Sequence, residues 1–250
     1  MKFYLLITLI TTQYLFALVS IAPVEIGEKP GFSNSIETSL ETTRGNTDTD
    51  SYKASLRTTY DNNTSYIVWA EVSGAYGKAS GEENTNKLFS HIRYIHALTD
   101  ETLRAELFAQ LQNDKFRQIN SRALGGAGLR FKLFDLLKNG KGYFGAGIFY
   151  ENIRYENPII DPTEDNVRVN SYFSYAIEFN KTSSAAYTLY YQPKVDDFSD
   201  NVQSHELELK LNIYQNLFLK FSLSYNTDSE PPLGVKKYDF TQNTSFIFNF

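Results

Sequence analysis

From Phe32 to the last residue, apolar and polar side chains alternate with a period of two, in repeated segments of roughly ten residues. In the first segment Phe32, Ile36, Thr38, Leu40 and Thr42 fall on one face and Ser33, Ser35, Glu37, Ser39 and Glu41 on the other. Leu103, Ala105, Leu107, Ala109 and Leu111 oppose Arg104, Glu106, Gln110 and Gln112, and Leu207, Leu209, Leu211 and Ile213 oppose Glu206, Glu208, Lys210 and Asn212. Successive side chains of a strand point to opposite sides, so each segment presents one face to an apolar medium and the other to a polar one. About twelve such segments follow one another, the even number expected when both ends of a barrel lie on the same side of a membrane.

The connections alternate as well. Residues 61–64, 98–101, 135–141, 180–183 and 215–216 are short turns, whereas 78–86, 114–120, 153–167, 194–202 and 227–238 are longer and more polar. Short periplasmic turns and longer outer loops characterise bacterial barrels. The expected fold is therefore all-β: an antiparallel transmembrane β-barrel over residues 31–250, in the outer membrane.

Residues 1–20 carry Lys2 and two apolar runs, and are read as a signal peptide; 21–30 form a short periplasmic segment. No later window is long and apolar enough for a spanning helix. A chain without one enters a membrane only as a closed sheet, because every backbone polar group must find a partner in hydrocarbon.

A mean hydropathy of -0.37 would suit a soluble protein, but Tyr 18 and Phe 19 are a β-rich bias. Tyr60, Tyr66, Tyr76, Tyr191 and Tyr225 stand at strand ends, as interfacial girdles do. A net charge of -5 without a basic block argues against nucleic acid as a partner, and the absence of cysteine removes disulfides and thiolate chemistry. Phe246, Phe248 and the terminal Phe250 resemble an insertion signal for the barrel-assembly machinery. The other expected partners are outer-membrane lipid and lipopolysaccharide.

With the apolar face toward lipid, the polar face lines the lumen. Its candidate charges are Glu37, Glu41, Lys53, Arg57, Arg93, Glu106, Arg130, Arg168 and Glu178. A turn centred at Thr47 would pair Glu41 with Lys53 and Glu37 with Arg57; Arg93 would pair with Glu106; and Arg130, Lys132 and Arg168 would seek Glu71 or Glu178. Both signs are represented, which favours rows that neutralise one another over a one-signed filter. Ser90-His91 and Ser204-His205 are adjacent and so face opposite ways, and His96 adjoins a turn. The three histidines are read as solvated or interfacial. Asn46, Asp48 and Asp50 begin like a calcium loop, but Ser51 stands where Gly is needed and Arg57 where Glu is needed. Asp196-Asp197 reads as a solvated acidic loop, and Gly125, Gly126, Gly128, Gly145 and Gly147 read as places of bending or close approach. No catalytic residue, metal or cofactor is assigned.

Thr43-Arg44-Gly45-Asn46-Thr47, Asn84-Thr85-Asn86-Lys87, Leu98-Thr99-Asp100, Gly125-Gly126-Ala127-Gly128 and Pro231-Pro232-Leu233-Gly234 occur in the order seen in a domain-of-unknown-function family labelled salt-induced outer membrane proteins. The chain resembles that family over nearly all of residues 31–250. The resemblance implies a monomeric outer-membrane barrel without assigned chemistry. The expected role is a small passive barrel, a narrow channel or a closed wall protein, supporting outer-membrane permeability or integrity under osmotic stress. A loop-mediated surface binding protein, acting through Tyr155–Asp165 and Asp228–Lys237, is the alternative, and an outer-membrane hydrolase the third reading.

Overall fold

The computed structural model describes residues 25–43, 49–99, 102–133, 139–157 and 162–250. The expected signal peptide, with Asn46 and Asp48, lies outside the described residues. Twelve strands follow in order: β1 (Gly31–Thr43), β2 (Thr49–Asp61), β3 (Tyr66–Ala79), β4 (Glu82–Ala97), β5 (Leu103–Asp114), β6 (Ile119–Leu133), β7 (Gly140–Tyr155), β8 (Glu164–Asn180), β9 (Ser183–Pro193), β10 (Asn201–Tyr214), β11 (Leu217–Asp228) and β12 (Tyr238–Asn249). Each pairs antiparallel with its chain neighbours, and β12 returns to β1 to close the barrel.

The alternation works inside out. Leu107, Leu111, Ile148 and Phe246 are exposed on the outer wall while Arg93, Glu106, Arg130 and Glu151 are buried inside. This is what a strand pattern gives when the outside is lipid rather than water. The connections 62–65, 98–102, 134–139, 181–182 and 215–216 lie at the end that holds both barrel termini.

Two expectations are corrected. The connection read at 78–86 is a tight turn at Ser80 and Gly81, with φ of 51° and 86°, the left-handed pair that two-residue hairpins use. Strands β3 and β4 continue past the lipid, where their outer faces need not be apolar, so hydropathy alone ends them too early. The first hairpin pairs Ser39 with Lys53 and Ser35 with Arg57, so neither Glu41–Lys53 nor Glu37–Arg57 is a register pair. A shift of two residues leaves every side chain on its own face, and periodicity cannot distinguish the two registers.

Inside, aromatic rings sit where the wall is thin. A Cβ on Gly145 would fall 2.0 Å from the Tyr172 ring, and one on Gly126 would meet Phe108 and Phe149 at 2.6 and 2.5 Å. The glycines expected to permit close approach thus make room for lumen-filling rings.

Candidate functional site: the lumen

Trp69 and Phe89, from β3 and β4, pack across the bore against Tyr172 and Tyr190 from β8 and β9. This aromatic bridge divides the lumen into two halves of different character.

On the β4–β8 side the lumen is filled. Glu106 accepts from Arg93 at 3.2 Å and from the Tyr172 hydroxyl at 2.7 Å, with Arg130 3.5 Å away. Arg130 also lies over the Tyr143 ring at 3.7 Å. Nearer the outside, Glu151 receives Arg122 and Arg168 at 2.6 Å each, and Arg168 reaches Asp200 at 2.9 Å. Arg93, Arg122 and Arg168 combine charge compensation with hydrogen bonding, the condition for holding ions out of water, whereas Arg130 rests on its 3.5 Å ion pair and the Tyr143 ring.

On the other side, walls β1–β4 and β10–β12 enclose a cavity of about 240 Å³ lined by serines, asparagines and charges of both signs. Lys53, Arg57, Lys87, Lys210 and Lys220 face Glu37, Glu71, Glu206 and Glu208 across it. Lys220 bridges Glu37 at 2.7 Å and Glu208 at 3.1 Å, and Ser245 donates to Glu37 at 2.7 Å. Arg57 lies 3.9 Å over the Trp69 ring, on the flank of the aromatic bridge. Toward the periplasm the cavity adjoins a vestibule of about 480 Å³, and Ser35, Arg57, Lys210 and Asn249 line both.

Both mouths are crossed. At the periplasmic end Glu25 binds Lys132 at 2.8 Å and Lys141 at 3.4 Å, and accepts from the Tyr143 hydroxyl at 2.7 Å. These partners are on β6 and β7, opposite β1 in a twelve-strand ring, so residues 25–30 form a strap over the opening. Asp61 anchors its other end, accepting from the backbone of Gly27 at 2.7 Å and Lys29 at 3.3 Å. Partial burial by itself would raise the Glu25 pKa, but the hydrogen bonds from Lys132 and Tyr143 and the charges of Lys141 and Lys132 bring it down to about 2. At the outer end Arg117, on the 3-10 turn Lys115–Arg117, binds Asp239 of β12 at 2.5 Å. Gln118 donates to the Leu233 carbonyl at 2.9 Å, drawing the β11–β12 loop over the bore.

Of the residues expected in the lumen, Arg93, Glu106, Arg130 and Arg168 lie buried in the filled half, while Glu37, Lys53 and Arg57 line the cavity. Glu178 keeps the inward parity of β8 but lies exposed at the rim, since its strand ends there; it partners neither Arg130 nor Arg168. The side chain of Glu41 lies outside the described residues. Glu25 and Glu151, which sequence reasoning passed over, carry as much of the wiring; Glu151 was legible from its inward parity, Glu25 from nothing periodic.

The histidines bind no serine. Nδ1 of His96 and Nδ1 of His205 lie within hydrogen-bonding distance of the Tyr94 and Tyr187 hydroxyls at the lipid interface. His91 is a correction: it is neither solvated nor interfacial but buried in the lumen, stacked 4.5 Å from Trp69 with Gln110 on Nδ1. Asp197 accepts from Ser199 in a local turn. Among the described residues no cluster has the composition of a metal site.

The family described as "Protein of unknown function, DUF481" matches residues 36–250. No curated protein matches the chain in sequence. The COG4313 outer membrane channel from Pseudomonas putida F1 superposes with a TM-score of 0.55 at 10% identity, over 91% of this chain and 100% of that one. The NanC porin follows with a TM-score of 0.47 and 12% identity, over 87% and 97% of the two chains. At 10% identity the likeness to the COG4313 channel is one of fold, and it agrees with the apolar outer wall in placing the protein among outer-membrane barrels.

Proposed function

This chain belongs to the DUF481 family, and we propose that it acts as a narrow passive channel of the outer membrane for small polar solutes. The observation that carries the reading is that the charged, serine-rich cavity and the periplasmic vestibule adjoin along the β1–β3 and β10–β12 walls, with Ser35, Arg57, Lys210 and Asn249 lining both. The filled half then serves as scaffold, and the path follows one side of the lumen. The balance of signs in the cavity favours weak discrimination between cations and anions. The outer face of the barrel meets lipid and lipopolysaccharide, and Phe246, Phe248 and Phe250 supply the signal for assembly; all three project outward. The Asp228–Lys237 loop, offered above as a binding loop, is engaged with the barrel's own Gln118, which favours the channel over the surface binder.

The test is single-channel conductance of the refolded, heat-modifiable barrel in a planar bilayer. Discrete steps are expected, and Ser222→Trp, which fills the cavity from β11, is expected to abolish them without unfolding the barrel. A silent wild-type barrel, or conductance unchanged by Ser222→Trp, would reject this path.

A further inference from the structure

The wall has an interruption. Strands β1 and β2 share thirteen residue pairs, Gly31–Asp61 through Thr43–Thr49, whereas β1 and β12 share four, from Ser35–Asn249 to Thr38–Phe246. Both strands continue outward from there, β1 through Thr43 and β12 back to Tyr238, each hydrogen-bonded to its other neighbour and not, among the described residues, to one another. Two strand edges facing each other without a ladder leave backbone donors and acceptors unpaired, at several kcal/mol each in hydrocarbon. Such backbone is tolerated at membrane depth where it borders a polar cavity, and the charged cavity lies directly behind: Glu37, Thr241 and Asn243 belong to its lining.

Two further observations mark the gap as a polar slot. On its outer side the β12 lip shows exposed Gln242 and Thr244, where the wall elsewhere shows Leu, Ile and Phe, and the β1 lip shows exposed Leu40. On its inner side Thr241 Oγ1 and Asn243 Nδ2 are buried with no hydrogen-bond partner among the described residues. Lys53, register partner of Ser39, stands behind the point where pairing stops and faces the cavity.

We propose that the β1–β12 gap is a lateral portal through which an acyl lipid with a phosphate head passes between the outer leaflet and the lumen, the head in the charged cavity near Lys53 and the tail left in the membrane. A two-part ligand fits a slot polar along its β12 lip and bordered on the lipid side by Leu40, Phe240 and Phe246. A partner β-strand would also satisfy the edges, but it would make no contact with the charges that line the cavity behind them.

The test places a photoreactive benzoylphenylalanine at Ser55, which lines the cavity, in full-length protein reconstituted in vesicles of phosphatidylethanolamine with added lipopolysaccharide. Leu56, exposed on the outer wall, takes the same probe as a control for the photochemistry. The expected result is a lipid adduct at both positions, with the Ser55 adduct falling at least tenfold when S39C and S245C are oxidised to close the slot, and returning on reduction. The chain has no native cysteine to interfere, and the adduct mass separates phospholipid from lipopolysaccharide. A lipid adduct at Leu56 alone, or one at Ser55 indifferent to the bridge, would overturn the portal. So would a peptide adduct at Ser55, in favour of strand docking, or spin labels on S39C and S245C showing the roughly 5 Å backbone spacing of a continued ladder.

Discussion

The two halves of the lumen are made from the same residue types and differ in what the charges do. In the β4–β8 half Glu106 is 2% exposed and serves Arg93, Arg130 and Tyr172 at once. In the other half Glu208 meets Lys220 at 3.1 Å beside an open cavity. The first arrangement keeps ions apart from water and must be complete; the second lines a cavity and tolerates loss. What separates them is the aromatic bridge of Trp69, Phe89, Tyr172 and Tyr190 rather than any change in strand composition. A polar inward face thus becomes filled scaffold or cavity wall according to what packs across it.

The largest effect should come from breaking the filled half. Glu106→Leu leaves Arg93 and Arg130 buried without their carboxylate and should cost about 3–5 kcal/mol, read as a lower urea midpoint for loss of the heat-modifiable form. The matching change in the cavity half, Glu208→Leu, should cost about 1 kcal/mol or less, because Lys220 keeps Glu37, and should shift ion selectivity toward anions in reversal-potential measurements. Equal destabilisation by the two variants would erase the distinction between the halves.

The mouths sharpen the comparison further. Asp239→Asn removes the charge that holds Arg117 across the outer opening; single-channel conductance should rise about twofold, with a smaller loss of stability than Glu106→Leu, about 1–3 kcal/mol. The smallest effect concerns Glu25. Its pKa is held near 2 in the folded protein against an ordinary 4.5. Its latch is therefore fully present above about 4.5 and is lost as pH falls from there through about 2. Conductance should stay flat from neutral pH to about 5 and rise below 4.5 as the strap releases, and Glu25→Gln should weaken that rise while increasing conductance modestly at neutral pH.

The alternation of residues such as Leu207 to Ile213 determines by itself the faces, the twelve strands, the side on which both barrel ends lie, and the inward placement of Arg93, Glu106, Arg130 and Arg168. These are properties of a period of two, and every segment states them locally. The first-hairpin register was not legible, because a two-residue slip preserves every face. The β3–β4 turn was hidden for a related reason: beyond the lipid the outer face loses its apolar mark. The strap of Glu25, the Arg117–Asp239 latch, the seal around Glu106 and the interrupted β1–β12 seam join residues far apart in the chain, Arg117 and Asp239 by 122 positions. Such pairs arise only once the sheet has closed and its opposite walls face one another at fixed height, a geometry no local pattern encodes.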